Sequence, residues 1–369
     1  LVVDADDEKV QLVLDNADIT CATSAAIYVK SAGKTFITLA EGSENILMNT
    51  AEFEAIDDNN IDAVIFSKDD LALNGSGTLT INSENGHGIV SKDDLKITGG
   101  TYNITAASHA LSGKDSVRIA AGTFNLVSGK DGIHSENADD SSKGYVYIAG
   151  GEFTVDSTGD GIDASNIVQI DDGTFDITAG GGVENSTKTH EDNMVGGPGG
   201  GNGPQMGEAP SEKPSGEAPQ GDPGNNSSEN SSSDSSSSDI ATPPEKPSEE
   251  ASSGNPPQGG PGEDSENNSA DNSSDRETPP EKPDSNTNQA AGTEQSESDT
   301  SDSDSASTKG IKADGRLYIN GGTFTINSAD DSVHSNSAVT INDGTYTLTT
   351  GDDGVHSGEA VEINSGTIT

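Results

Sequence analysis

The chain has 369 residues, with 64 acidic against 18 basic side chains and a formal net charge of -46. Such a charge argues against nucleic acid and anionic membrane surfaces as partners and favours cations. Only 28% of the residues are hydrophobic and none is tryptophan, which over the whole length resembles a disordered protein.

That average mixes two kinds of sequence. The N-terminal part begins with short runs of alternating apolar and polar residues, the period of half-buried strands. Cys21, in ADITCAT, is the sole cysteine and is expected to be a small buried residue, so no disulfide framework exists. No stretch of about 20 apolar residues is present, so no membrane insertion is expected.

From residue 95 onward one phrase returns. It reads LKITGGTYNITA (95–106), VRIAAGTFNLVS (117–128), VYIAGGEFTVDS (146–157) and VQIDDGTFDITA (168–179). After a long interruption come LYINGGTFTINS (317–328) and VTINDGTYTLTT (339–350). Thr101 and Thr123 lie 22 residues apart, as do Thr323, Thr345 and Thr367. A strict repeat of this length implies stacked, nearly identical units. At about 3.3 Å per residue, one unit gives about 70 Å of extended chain, enough for one three-sided coil. The expected fold is therefore all-β, a right-handed parallel β-helix of about 22 residues per coil whose coils share one core. Leucine-rich repeats need more leucines per unit, and propeller blades need about twice the length.

The recurring glycines Gly100, Gly122, Gly151, Gly173, Gly322, Gly344 and Gly366 mark a corner where positive φ is expected. The aromatic column Tyr102, Phe124, Phe153, Phe175, Phe324 and Tyr346 is expected to stack inside. Those assignments leave no large aromatic platform for sugar, only a ridge of Thr, Asn, Ser and Asp that can hydrogen-bond an extended glycan.

Three regions follow. Residues 1–185 form the N-terminal part of the β-helix. Residues 186–308 form an acidic low-complexity insert of Ser, Pro, Gly and Glu, in which TPPEKP occurs twice. It buries too little to offset its ordering entropy and is expected to be disordered. Residues 309–369 continue the β-helix, and NSGTIT stops in mid-coil, so a truncated C-terminus is expected. Leu1 stands where a start Met would be, so a removed signal or anchor segment is expected, with a location outside the cell or on its surface.

Two turn columns could carry chemistry. One, before a glycine, reads His87, His109, Asp131, Asp160, Gly181, Lys309, Asp331, Asp353. The other, after an inward aliphatic, reads Val90, Ser112, His134, Asp163, Glu184, Lys312, His334, His356. Carboxylates one coil apart, about 4.8 Å, repel unless hydrated or bridged by a cation. Ca²⁺ takes six to eight oxygens. Asp131, Asp160 and Asp163 make a first candidate calcium set, and Asp330, Asp331, Asp352 and Asp353 a second. The plainer reading of each Asp is a tight-turn residue that bonds its own backbone. His134, His334 and His356 repeat at equivalent positions, which favours a structural ladder with only the last two adjacent. Lys309 and Lys312 break the pattern. Either could serve as the base of a lyase if its pKa were lowered, or could simply neutralise the acidic stack.

AAIYVKSAGKTFITLAEGSEN (25–45), VIFSKDDLALNGSGTLTIN (64–82), GIVSKDDLKITGGTYNIT (88–105) and ADDSVHSNSAVTINDGTYTLTTGDDGVHS (329–357) resemble a bacterial family of carbohydrate-binding β-helix proteins. Members are surface or secreted proteins of cellulose-degrading clostridia and their relatives. The resemblance covers most of 10–185 and 309–369. It implies a parallel β-helix like that of pectate lyases, bound calcium, and binding of cellulose or acidic sugars such as polygalacturonate without established lyase activity. The pattern leads to Asp-Gly in two turns that read His87-Gly88 and His109-Ala110 here, so carry-over is confined to Asp131, Asp160, Asp331 and Asp353, with Asp163 and Asp352 beside them. The expected function is a non-catalytic polysaccharide-binding protein. A calcium-dependent polysaccharide lyase and a rigid surface stalk are the alternatives.

Overall fold

In the computed structural model, the described residues are 1–54, 56–187 and 307–369. The expected acidic insert, apart from residues 186, 187, 307 and 308, lies outside them. The described residues form three parallel sheets of ten strands each. Every coil contributes one short strand to each sheet in turn, and each strand pairs in parallel with its equivalents in the coils before and after. The fold is a parallel β-helix, as the 22-residue period requires. The first sheet includes Leu111–Gly113, Ile133–Ser135, Ile162–Ala164, Ile311–Ala313, Val333–Ser335 and Val355–Ser357. The second includes Ser116–Ile119 and Tyr145–Ile148, and the third Thr123–Ser128 and Glu152–Ser157.

Alternation decides which side chains face the core. In Thr123–Ser128 the burial pattern alternates, with Phe124, Leu126 and Ser128 inside and Asn125 and Val127 outside. The partners in register are Tyr102, Phe124, Phe153, Phe175, Phe324 and Tyr346. All six are buried. Their rings stack face to face with centroids 4.7–5.1 Å apart and interplanar angles of 2–7°. The coil spacing dictates that separation. Each of the four inner rings thus buries its own surface and also contacts a ring above and below, while Tyr102 and Tyr346 stack on one ring each; such contacts are worth about 0.5–1.5 kcal/mol per pair beyond area. The corner glycine before each aromatic has φ between 107 and 138°. There a Cβ at Gly173 would also meet the Phe175 ring at 2.8 Å, so both backbone conformation and space demand glycine.

Register runs straight across the insert. Ile162 pairs with Ile311, Asp163 with Lys312, and Phe175 with Phe324. The expectation that Gly181 and Glu184 occupy a coil of their own is therefore corrected. Residues 183–185 form a single 3-10 turn at the corner after the third sheet, capped by Gly182 at φ 80°. The glycines of GGGVEN imitate the repeat, but no strand pairs there. Cys21 is also corrected, being half-buried rather than buried. Its strand Asp18–Cys21 pairs with Glu44–Asn49 alone, so packing reaches it from one side.

A second apolar cluster lies outside the helix. Tyr28, Phe66 and Val90 point outward from the first sheet and are covered by Phe53 and Ile61. Further along the same face the outward residues become Ser112, His134, Asp163, Lys312, His334 and His356. The first sheet thus changes along its length from an apolar to an ionic outer face.

Candidate functional site

The ionic face is built by a corner followed by a short strand in each coil. At the corner, the side chain in one coil accepts a hydrogen bond from the backbone of the next. His109 N–H donates to His87 Nδ1 at 3.3 Å and Asp131 N–H to His109 Nδ1 at 3.1 Å. Asp160 N–H donates to Asp131 Oδ1 at 2.8 Å, Lys309 N–H to Asp160 Oδ1 at 2.6 Å and Asp353 N–H to Asp331 Oδ1 at 2.9 Å. The expectation that these aspartates bond within their own turns is corrected, because their acceptors serve the coil that follows. None adopts a positive φ. This also explains why histidine replaces aspartate at 87 and 109, since an imidazole Nδ1 is an equally placed acceptor.

The second oxygens and the outward strand residues meet as ion pairs. Asp131 Oδ2 pairs with His134 Nδ1 at 3.2 Å and lies 3.1 Å from His109 Nδ1, the nitrogen that accepts the Asp131 N–H. Asp163 Oδ2 is 3.1 Å from the same His134 nitrogen, while its Oδ1 accepts from Lys312 Nζ at 2.9 Å. Lys312 Nζ also lies 3.8 Å from Asp160 and 3.7 Å from Asp314. Lys309 Nζ bonds Asp330 Oδ2 at 2.7 Å. His334 and His356 each pair with the aspartate three residues earlier, Asp331 at 2.7 Å and Asp353 at 3.1 Å.

These pairs shift the titrations. Burial disfavours the charged ring of His134, yet hydrogen bonds to Asp131 and Asp163 outweigh it and hold the pKa up at about 9. Burial would raise Asp131, but His109 and His134 hold it well below the usual carboxylate range. Burial and the neighbouring Asp163 and Asp131 push Asp160 up to about 7. Burial drives His87 down to about 3 and lowers His109 as well. Lys312, despite burial, is raised above its ordinary value by Asp163 and Asp160.

The two expected aspartate sets therefore differ. Asp131, Asp160 and Asp163 are brought together, but with the imidazoles of His109 and His134 and the ammonium of Lys312 among them. That mixed set does not suit Ca²⁺, which takes oxygen donors. Asp330, Asp331 and Asp352 can each offer a carboxylate oxygen with all three within 4.8 Å of one another, but Lys309 Nζ holds Asp330 and His334 Nδ1 holds Asp331, each at 2.7 Å, so a hard cation would have to displace both partners. Asp353 joins His356 and Asp331 in a neighbouring group. His334 and His356 stack at 4.9 Å as expected of adjacent coils. Sequence reasoning missed His87 and His109 as members of the site. His109 stacks on His134 at 4.3 Å and on His87 at 5.0 Å, although His109 and His134 belong to different columns. The Asp-x-φ-His phrase, present as DGIH, DSVH and DGVH, marks the carboxylate–ring pairs of His134, His334 and His356, and neither His87 nor His109 carries it.

A second surface lies on the third sheet. Outward residues there stand in register as rows of Thr and Asn. Thr80, Asn82, Asn103, Thr105, Asn125 and Val127 border a shallow groove of about 370 Å³. Asn125 Nδ2 donates to Asn103 Oδ1 at 2.8 Å, so the amides form a ladder across coils. In the next two coils the outward positions become Glu152, Asp156 and Asp176, all exposed. The groove is therefore neutral and the face beyond it acidic. Among the described residues, no helix is long and apolar enough to cross a membrane.

A family model described as carbohydrate-binding domain-containing protein matches residues 1–210 and 268–354. The chain belongs to that family. A curated relative with the same description, from Acetivibrio thermocellus, is 46% identical over 97 residues, which is 26% of this chain and 34% of the relative. The chain thus spans about a third of the length of the curated relative it matches. A solved structure described as the polysaccharide lyase-like protein from C. thermocellum, a gadolinium derivative, is 40% identical. That match covers 49% of this chain and 74% of the other, with a TM-score of 0.47.

Proposed function

We propose that this member of the carbohydrate-binding domain family is a non-catalytic module of the bacterial exterior that holds extended plant polysaccharide against the third sheet. The observation that carries the reading is the register of outward Thr and Asn rows, with the Asn103–Asn125 ladder bordering a neutral groove. Hydroxyls and amides repeated at the coil spacing of about 4.8 Å offer donors and acceptors to a linear glycan along the helix axis. The inward aromatics supply no stacking platform, so hydrogen bonding carries recognition. A neutral chain such as cellulose fits the groove. An acidic chain such as polygalacturonate would be repelled by a net charge of -46 unless Ca²⁺ bridges it. Asp330, Asp331 and Asp352 would hold that ion, which would supply a positive charge shared between protein and glycan carboxylates.

The lyase alternative has the lysines against it. A proton-abstracting base needs a lowered pKa, whereas Lys312 is raised by its carboxylates and Lys309 is ion-paired with Asp330. Retention on insoluble cellulose and on polygalacturonate gel, with calcium and with chelator, tests the proposal. Retention on cellulose that Asn103→Ala plus Asn125→Ala abolishes would place binding at the groove. Calcium-dependent retention on polygalacturonate, lost in Asp331→Asn, would support the bridge. Unsaturated product from polygalacturonate would establish the lyase instead, and no retention on either polymer would leave a rigid stalk.

A further inference from the structure

We infer that the corner between the second and third sheets binds a neutral sugar chain, one ring of which sits over Gly321 between the carboxylates of Asp172 and Asp343. The inference rests on the carbohydrate reading and adds a second binding surface to it, further along the helix than the Asn103–Asn125 groove. Ile170 pairs with Ile319 and Ile319 with Ile341, and after the corner Thr174, Thr323 and Thr345 pair in the same order. Asp172, Gly321 and Asp343 therefore stand in one column, in which a glycine interrupts two acidic side chains. The gap belongs to a groove of about 450 Å³ lined by Asp172, Gly321, Thr323, Asp343 and Thr345. All four side chains are exposed. A Cβ at Gly321 would meet only the Asp171 carbonyl oxygen, at 3.0 Å. Its φ is not positive, unlike that of Gly322 at 112°. The backbone does not demand glycine at 321; its missing side chain is what opens the groove.

Spacing and charge select the ligand. Asp172 and Asp343 are two coils apart, about 9.6 Å. Oxygens that share one Ca²⁺ lie about 2.4 Å from it and so within about 5 Å of each other, so the pair is too wide for a single cation. Two hydrogen bonds of about 2.7 Å across the gap leave about 4 Å between the ligand's own oxygens, the span of hydroxyls on one sugar ring. Each carboxylate is already oriented by one oxygen. Gly173 N–H donates to Asp172 Oδ1 at 2.8 Å and Gly344 N–H to Asp343 Oδ1 at 2.9 Å. The other oxygen of each is left to accept from a ligand hydroxyl, and the Thr323 and Thr345 hydroxyls can donate or accept beside it. The preceding row holds the corner in place. Asn320 Nδ2 donates to Asp171 Oδ1 at 2.8 Å, Asn342 Nδ2 to Asn320 Oδ1 at 2.7 Å and Asn364 Nδ2 to Asn342 Oδ1 at 2.9 Å. Asp171 also accepts from Tyr147 and Gln169, so it is used up in building the corner. Acceptors fixed before binding spare the ligand the cost of ordering them. Two ionised carboxylates accept from neutral sugar hydroxyls and repel uronates, which sets the class of chain.

Calorimetric titration of the full chain with cellohexaose in chelator tests the inference, with trigalacturonate as the charged comparison. Gly321→Leu fills the gap. Asp343→Asn removes a charge while keeping an acceptor for the Gly344 N–H. Each should weaken cellohexaose binding by about fivefold or more when added to a chain that carries Asn103→Ala and Asn125→Ala. Asp139→Asn, an exposed carboxylate away from the groove, should change it by less than about twofold. If Gly321→Leu fails to fold by circular dichroism, Asp343→Asn carries the test alone. Loss of all binding in the Asn103/Asn125 double variant, with Asp343→Asn silent in the parent, would overturn the corner site and leave the third-sheet groove standing. Trigalacturonate bound in chelator as tightly as cellohexaose would overturn the neutral class. A parent chain that binds neither sugar would overturn this site and the carbohydrate reading together.

Discussion

Replacing Phe153 by Ala tests the shared core directly. Phe153 lies in the middle of the aromatic column, with centroids 4.8 Å from Phe124 and 4.7 Å from Phe175 and rings parallel to within 4°. It is almost wholly buried. Truncating a buried Phe to Ala costs about 3–5 kcal/mol through lost transfer and the cavity left behind. Here the upper half of that range is expected, because two ring contacts of about 0.5–1.5 kcal/mol each vanish together. The close coil spacing, set by backbone pairing on both sides, also keeps the neighbours from collapsing into the gap. Phe153→Leu, which keeps most of the volume and loses only the ring contacts, should cost about 1–2 kcal/mol. Urea unfolding followed by circular dichroism gives both values, with an unchanged m-value if the coils unfold as one unit. A cost below about 1.5 kcal/mol for Phe153→Ala, or equal costs for the Ala and Leu variants, would refute the view that stacked rings hold the coils together.

Gly173→Ala, at φ 136° with a Cβ 2.8 Å from the Phe175 ring, should lower stability by about 1–3 kcal/mol. Gly42→Ala, at φ 69° with nothing within 4 Å, should cost about 1 kcal/mol, so the difference in urea midpoint reports the crowding at Gly173 together with its less accessible φ. His134 is held up at about 9 against an ordinary 6.5, so its contribution is fully present below pH 6.5 and is lost as pH rises through 9. In chelator the melting temperature should therefore fall across that window, by at most about 3 kcal/mol of stability, and His134→Gln should lose most of the slope; an unchanged slope would refute the ion-pair assignment. Exchanging residues 188–306 for a short Gly/Ser linker should leave the melting temperature within about 5 °C of the parent, because the third sheet pairs Phe175 directly with Phe324. A collapsed transition would show that the coils on either side depend on the insert.

The repeat was readable because a parallel β-helix asks the same thing of every coil. Each must turn its Thr-Phe strand so that the ring falls on the ring below, and each must place a glycine where φ is positive. Those demands are local and recur every 22 residues, so the fold class, the aromatic column, the corner glycines and the adjacency of His334 and His356 all follow from spacing. The false rung at Gly181 and Glu184 shows the limit, since glycine followed by an aliphatic imitates a corner without strand pairing to confirm it. The site was less legible for a further reason. Register assigns each residue a neighbour directly above and below, but His109 meets His134 diagonally, from a corner in one coil to a strand in the next. Likewise Lys312, which follows His134 by 178 residues, comes to share Asp163 with it only because the first sheet continues across the insert. Which aspartates face imidazoles and which face ammonium depends on those diagonal and cross-insert contacts. Periodicity determined the helix and its core; the tertiary structure alone decided how its charges pair, because side chains that reach between columns are not bound by the repeat.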